Sequence, residues 1–473
     1  MKTMRHLLFL TFALIIGLTI PSACISDDFT TSPSDTLVFS TDTVAFDTVF
    51  TGLGTPTARL IVHNRAKKSV NISSISFATD DGIFSMNVDG VSGRSFSDVE
   101  IRGQDSIYVF IECHIPESQT PEPYLVADRL RFVTNGVTQD VEVEAYGQNV
   151  TRLRGVTATA DMTLTAERPY IVFDSLKVAA GSVLRVEPGA RLLFHDKASL
   201  IVDGKLEAIG EAGRMIQMRG DRLDDVLPGV GYDIMAGQWD GVILRPGSFD
   251  NRMEYVDMRS TRRGLVADSC GVTDRSKLVL VNSWLHNSQG NVLTSGHSSV
   301  SAYGCCFSEA AEAVVNLSGG VHEFVQCTFA NNYLFSSIRR PLVCLYHLLP
   351  EDLEMSSVPL MQASFDNCIV YGLAADLNVG DLNGSSVYFR NVLLKSEGND
   401  DANFIACVWG ADPLFYTERD KYYFNYRLRP DSPAIGKGNI QWLTPLCETD
   451  MDGLHRENPP TLGAYVYTAP ASE

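Results

Sequence analysis

One short pattern recurs between residues 253 and 395. Val256-Asp257-Met258, Ser283-Trp284-Leu285, Cys305-Cys306-Phe307, Cys327-Thr328-Phe329, Cys368-Ile369-Val370 and Val392-Leu393-Leu394 each place a small or apolar residue first and third. Their first members stand 27, 22, 22, 41 and 24 residues apart, so the period is near 22 and the 41 holds two copies. Alternation with a period of two marks a strand with one buried face. Such a strand cannot cover its own apolar side and must be covered by the copies before and after it. The economical solution is a stack of coils with parallel strands, first and third residues inward and the middle one outward.

The same reading extends upstream. Short strands are predicted at 170–172, 176–178, 183–186, 191–194, 199–202 and 205–208, continuing through 215–218. Ala179-Ala180-Gly181, Glu187-Pro188-Gly189 and Asp203-Gly204 mark the turns between them. Residues 156–410 are therefore expected to form one solenoid. Asn287 and Asn331 follow the third position of their copies by two residues, and Asn282 and Asn367 precede theirs. In this the chain resembles the right-handed parallel β-helix family to which pectate lyases belong, where asparagines stack in a bend. The resemblance implies an architecture and leaves the chemistry open, because such folds host lyases, hydrolases, adhesins and inert scaffolds. Two stretches break the period, 219–239 and 346–360, the second containing Pro350-Glu351-Asp352. Insertions of this kind collect on one side of a solenoid and carry function.

Residues 39–150 read differently. Alternating strands are predicted at 43–50, 58–64, 70–77, 84–88, 99–101, 107–113, 130–134 and 141–146, close together and bounded by turns, which means a β-sandwich. Phe46-Asp47-Thr48-Val49, Ile61-Val62-His63-Asn64, Ser106 to Phe110 and Phe132 to Gly136 resemble immunoglobulin-like domains of the hydin and abnormal-spindle type, and the resemblance implies a spacing or binding role. The expected fold class is all-β: an N-terminal immunoglobulin-like β-sandwich followed by a right-handed parallel β-helix.

The first 23 residues carry Lys2, Arg5 and His6, an apolar run at 7–20, then Pro21-Ser22-Ala23 before Cys24. An apolar core this short is an export signal rather than a membrane span, which needs about 20 residues. With Cys24 directly after, it resembles a bacterial lipoprotein signal, though proline stands where leucine is usual. Ser26-Asp27-Asp28 resembles the acidic export tag of Bacteroidota surface lipoproteins. These resemblances imply lipidation of Cys24, attachment to the outer membrane and exposure on the cell surface, with 24–38, rich in Ser, Thr, Asp and Pro, as a tether. Asp35-Thr36-Leu37, Asp42-Thr43-Val44, Asp47-Thr48-Val49, Asp105-Ser106-Ile107 and Asp174-Ser175-Leu176 resemble the O-glycosylation tripeptide of the same bacteria. At the far end, 411–473 contains Asp412-Pro413-Leu414-Phe415, Tyr426 to Ala434, Asp450-Met451-Asp452-Gly453 and Leu462-Gly463-Ala464-Tyr465. It resembles the choice-of-anchor Q segment that follows β-helices, and is expected to cap the bare edge of the last coil.

The formal charge is −19, and loss of Lys2 and Arg5 with the signal would make it two units more negative. That balance excludes nucleic acid as a partner and disfavours anionic lipid headgroups and polyuronates, all of which need a basic surface.

Chemistry is sought first in the earlier insertion. Asp221, Asp224, Asp225 and Asp233, with Arg222, Arg262 and Arg263 nearby, are the candidates for a carboxylate cluster and a base, and their hard oxygens would suit calcium. Their spacing matches no defined calcium loop, and a solvated charged loop accounts for the same residues, so no metal is assigned. A glycosidase needs two carboxylates about 5 to 9 Å apart. The outward row Asp257, Trp284, Cys306, Thr328, Ile369, Leu393 holds one acid and reads as packed surface. His286, His297 and His322 read as surface or ladder histidines. Tyr232 and Trp239 are candidate sugar-stacking rings, with Trp284, Trp409 and Tyr303 also considered, and burial in the stack is the favoured reading of these aromatics. Nine cysteines remain after Cys24, none in a zinc pattern; Cys305 and Cys327 share an inward slot and are read as free buried thiols. The leading expectation is a surface lipoprotein whose β-helix binds a glycan or partner without catalysis. The alternative is a polysaccharide lyase or glycoside hydrolase acting on the groove.

Overall fold

The computed structural model describes residues 28–54, 57–79, 81–119, 123–227, 229–348, 358–382 and 384–469. The expected export signal, Cys24 and most of the second insertion lie outside them. The described residues form strands joined by turns and a few single turns of 3-10 helix. They divide into two compact units between Gln148 and Asn149.

In the first unit, strands Leu37–Phe39, Ala58–Asn64, Ser106–Cys113, Phe84–Val88 and Val91–Gly93 form one sheet in that order. Thr43–Phe50, Val137–Gln148, Tyr124–Thr134, Val70–Phe77 and Ser95–Phe96 form the second, with Val99–Ile101 also against Val70–Phe77. All pairs are antiparallel except Thr43–Phe50 beside Val137–Gln148. Leu60, Val62, Val109 and Ile111 from one sheet and Ile72, Leu130, Phe132, Val141 and Val143 from the other share one apolar core, as their alternation dictates. The last two strands outgrow their predicted lengths. Asn135 and Gly136, both left-handed at φ 52° and 76°, close a tight hairpin, and Arg131 pairs with Asp140 across it at 3.0 Å. Residues 28–38, expected as a free tether, are held: the Asn135 side chain donates to the carbonyls of Ser32 and Asp35, and Leu37 is buried.

In the second unit every pairing is parallel apart from one hairpin and isolated bridges, in long sheets consistent with a β-helix. Coils give one strand to a ten-stranded sheet and two to a seventeen-stranded one; Ser299–Tyr303, Cys306–Ala310 and Val315–Ser318 are one such set. Registers run residue on residue, Leu285 to Phe307, Phe307 to Phe329 and Phe329 to Val370, so the interval of 41 residues, expected to hold two copies, is one longer coil. The first and third motif positions are inward as the alternation requires. Phe307 and Phe329 lie face to face with centroids 5.4 Å apart, and Phe324, Phe365, Phe389 and Phe404 stack at 5.0, 4.8 and 4.8 Å. Full burial of each such ring is worth about 1.5–3 kcal/mol, with ~0.5–1.5 more per stacked pair. The nine cysteines beyond Cys24 are free thiols, Cys305, Cys327 and Cys368 fully buried among them.

Tyr255, Asn282, Gly304, Gln326, Asn367 and Asn391 precede the motif on successive coils, all left-handed at φ between 42° and 65°. Asparagine and glycine tolerate that region best, which explains Asn282 and Asn367. A second left-handed row follows the motif: Ser260, Asn287 and Glu309, at φ 66°, 59° and 51°.

The tail beyond 411 packs along the outward row of several coils, the last one included. Phe415, Tyr426, Leu428, Met451, Leu462, Ala464 and Tyr465 form a core with outward residues Cys306, Ala330, Ile369 and Leu393 of four coils. The Ala464 amide donates to Thr328 Oγ1 at 2.9 Å, and Arg456 reaches Gln326 and the Gly463 and Ala464 carbonyls. The outward row is apolar in these coils, so its free energy is gained by covering it along its length rather than at one end.

Candidate functional site

Alternation turns Asp257 and Arg259 outward on the strand Val256–Thr261, and Trp284 and His286 outward on Trp284–Ser288. Parallel register sets Asp257 beside Trp284 and Arg259 beside His286. Arg259 Nε donates to Asp257 Oδ1 at 3.0 Å and its Nη2 to Oδ2, while Nη1 reaches Asp233 Oδ2 at 2.6 Å. His286 Nε2 lies 3.3 Å from Asp257 Oδ1, and its ring stacks on Trp284 with centroids 4.0 Å apart. Arg219 Nη1 stands 3.6 Å from Asp233.

The first insertion folds over this network. It leaves the strand Ile216–Gly220, turns through the hairpin Asp225–Leu227 with Val230–Gly231, and returns by the single turn Tyr232–Ile234. Asn287 Nδ2 donates to the carbonyls of Asp233 and Ile234 at 2.9 and 2.7 Å, and Ser260 Oγ donates to Asp233 as well. The left-handed bend thus aims two short polar side chains at the insertion and fixes where Asp233 projects. Tyr333 to Phe335 and the tail from Lys421 to Phe424 supply the remaining walls. They enclose a cavity of about 260 Å³, lined also by Gly229 to Gly231, Asp233, Ile234, Arg259, Trp284, His286, Asn287 and Glu309. That lies just under the ~300–1,000 Å³ usual for ligand pockets and suits a small ligand or the end of a longer one.

Burial opposes ionisation of Asp257, but the Arg259 guanidinium and His286 outweigh it and hold the carboxyl well below the usual range. Asp233 is likewise lowered: Arg219 and Arg259 together overcome its burial. Burial and the Arg259 charge lower His286, favouring neutral imidazole, although Asp257 pulls the other way. Glu309 goes in the opposite direction. It is 3% exposed, and burial pushes its carboxyl up to about 7, offset only in part by the Ser308 and Tyr426 hydroxyls. Its Oε1 accepts from the Tyr426 hydroxyl, and its Oε2 is buried with no hydrogen-bond partner. The groups facing Glu309 stay neutral, because burial raises both the Tyr426 phenol and the Cys306 thiol well above their ordinary values.

Of the residues singled out from the sequence, the structure brings Asp233, Trp284 and His286 into this cavity. Asp221 pairs with His195 at 2.7 Å, Asp224 with Arg222 at 2.9 Å, and the Asp225 carboxylate accepts from the Gly229 amide at 3.0 Å. Each carboxylate has its own local partner, so the four acids do not converge as calcium ligands; among the described residues no three His, Cys, Asp or Glu side chains gather as a metal-binding group. Arg262 lies 3.6 Å from Asp196, and Arg263 pairs with Asp240. Neither is among the cavity-lining residues. Tyr232 carries the Arg222 guanidinium 3.7 Å over its ring. Trp239 is fully buried, stacked on Phe194 at 4.0 Å and donating from Nε1 to the Arg259 carbonyl, so it has no face left for a ligand. Trp409 donates to Asp400, and Tyr303 to Glu323, both outside the cavity. Sequence reasoning missed Glu309, Arg259, Tyr333 to Phe335 and Lys421 to Phe424. An acid at a bend held by Ser and Asn in neighbouring coils is the one signal that could have found Glu309.

No protein-family profile matches the chain, and no curated protein matches it. Several solved structures are weakly similar, three of them as follows. The catalytic unit of an α-1,3-glucanase of glycoside hydrolase family 87 from Streptomyces thermodiastaticus strain HF3-3 is 11% identical over 75% of this chain and 89% of that one, with a TM-score of 0.16. A family 123 glycoside hydrolase from Clostridium perfringens is 9% identical over 24% of this chain, with a TM-score of 0.18. A protein of unknown function from Porphyromonas gingivalis W83 is 10% identical over 26% of this chain, with a TM-score of 0.19. The match spans only 26% of the Clostridium chain and 60% of the Porphyromonas one. Overlap this slight assigns the chain neither their folds nor their activities.

Proposed function

We propose that the protein is a surface lipoprotein whose right-handed β-helix holds the end of a glycan chain in the cavity between the first insertion and the folded-back tail. The observation that carries this reading is the combination of walls. Trp284, Tyr333, Phe335, Tyr422 and Tyr423 offer flat apolar faces, while Asp233, Arg259, His286 and Asn287 offer donors and acceptors for hydroxyl groups. Phe335, Tyr422 and Tyr423 are 41%, 39% and 51% exposed, so rings stand free at the mouth rather than inside the fold. In this reading the first unit is an immunoglobulin-like spacing module, and lipid on Cys24 holds the chain to the outer membrane.

Calorimetric titration of the purified protein with a panel of neutral oligosaccharides tests the pocket. Wild type should bind at least one, and Phe335→Ala with Tyr423→Ala should weaken that binding about tenfold or more without moving the unfolding midpoint. Unchanged affinity in the double variant would remove the pocket from the reading. Cys24→Ala should release the protein from the membrane fraction; retention there would end the lipoprotein assignment.

A further inference from the structure

Glu309 is built into the cavity at a conformational cost. Its backbone is left-handed at φ 51°, where the preceding coils use Ser260 and Asn287, and a glutamate is disfavoured in that region. The residue is 3% exposed and lines the cavity, and its Oε2 is buried without a hydrogen-bond partner. A second carboxyl, Asp233, faces the same space. Its Oδ2 is taken by Arg259, and no hydrogen bond engages Oδ1 among the described residues. Both cations in the cavity wall are committed, Arg259 to Asp257 and Asp233, and Lys421 to Glu418 at 2.5 Å. A uronate would find no free positive partner there, which disfavours elimination chemistry and favours an uncharged sugar.

We propose that this cavity hydrolyses the terminal glycosidic bond of a neutral glycan, with Glu309 as the acid and Asp233 as the base. The inference rests on the glycan-binding reading and adds chemistry to it. Glu309 gives its carboxyl proton to the glycosidic oxygen as the bond from that oxygen to the anomeric carbon breaks, and the bonding electrons leave with the oxygen. A water adds its oxygen to the anomeric carbon and passes a proton to the Asp233 carboxylate. That proton returns to Glu309 through solvent, so the net change is the addition of one water. The two protonation states coexist because their surroundings differ: burial holds Glu309 neutral against the opposing pull of the Tyr426 hydroxyl, and two guanidiniums hold Asp233 charged. Tyr426 then acts as a positioning residue, fixing Oε1 and leaving Oε2 to carry the proton.

The test uses nitrophenyl glycosides of the common neutral hexoses and pentoses, in both anomers, with turnover read as released phenol and binding by calorimetry. Wild type should cleave at least one, with kcat falling as pH rises through about 7 as Glu309 loses its proton. Glu309→Gln should lower kcat/KM by a factor on the order of 10²–10⁴ while leaving binding within a few-fold. Asp233→Asn should lower it comparably and leave the fall above pH 7 in place. Binding of glycosides without any cleavage, or a Glu309→Gln variant as fast as wild type, would overturn the assignment and leave the binding reading standing. No binding of any glycoside would overturn both.

Discussion

The same outward row of the coiled unit has two fates. In coils carrying Cys306, Ala330, Ile369 and Leu393 it is apolar and sealed by the tail. In the coils carrying Asp257, Arg259, Trp284 and His286 it is charged, half-covered by an insertion, and borders a cavity. The difference teaches where function is placed in a repeating fold. Inward positions are interchangeable from coil to coil, because all meet the same apolar neighbours, whereas an outward position takes its meaning from what lies over it. An apolar lid makes the row a second core, with contributions that add in small steps. A polar lid makes it a network in which one missing partner strands the others.

The sharpest break in that comparison comes from Arg259→Met. It leaves Asp257 and Asp233 without their main partner in a mostly buried site, and should cost about 3–5 kcal/mol in urea unfolding. A loss below 1 kcal/mol would show that the polar coils are no more cooperative than a solvated surface. In the sealed coils, Ile369→Ala should cost roughly 2–4 kcal/mol through lost contacts and the cavity left behind, and should speed proteolysis within the tail. If the tail stays as resistant as in wild type, the seal does not depend on that row.

Glu309 sharpens the boundary between the two halves through pH. Its carboxyl is raised from 4.5 to about 7, so the folded state keeps a proton that the unfolded chain releases. Its stabilising contribution is complete below about pH 4.5 and is lost as pH rises through 7, amounting to up to about 3 kcal/mol. Wild type should therefore lose more stability than Glu309→Gln between pH 5 and 8; parallel curves would mean that Glu309 titrates as an exposed acid. Smallest is Arg263→Ala, outside the cavity and half-exposed. Removing its pair with Asp240 should shift stability by less than about 1 kcal/mol and leave glycan affinity unchanged.

Much of the frame was legible because it is written locally. The motif at 256, 283, 305, 327, 368 and 392 repeats its inward residues, and the Phe307–Phe329 stack is where that repetition places it. The aspartates of the first insertion also stood out, yet only Asp233 reaches the cavity, because Ser260 and Asn287 hold the turn there while Asp221, Asp224 and Asp225 find nearer partners. Trp239 looked like a binding ring and is core, since a tryptophan at the return of an insertion is equally able to close the stack.

By itself the sequence determined the period, the inward faces and the interruptions, all of which depend on residues within one or two turns of chain. The tertiary structure alone decided which outward residues are sealed and which border a cavity. Tyr426 meets Glu309 across 117 positions, and no pattern in either neighbourhood announces the other. Period is imposed by the backbone's own geometry and repeats in the sequence. A lid is chosen by which apolar surfaces find each other, and that choice is fixed only when the whole chain has folded.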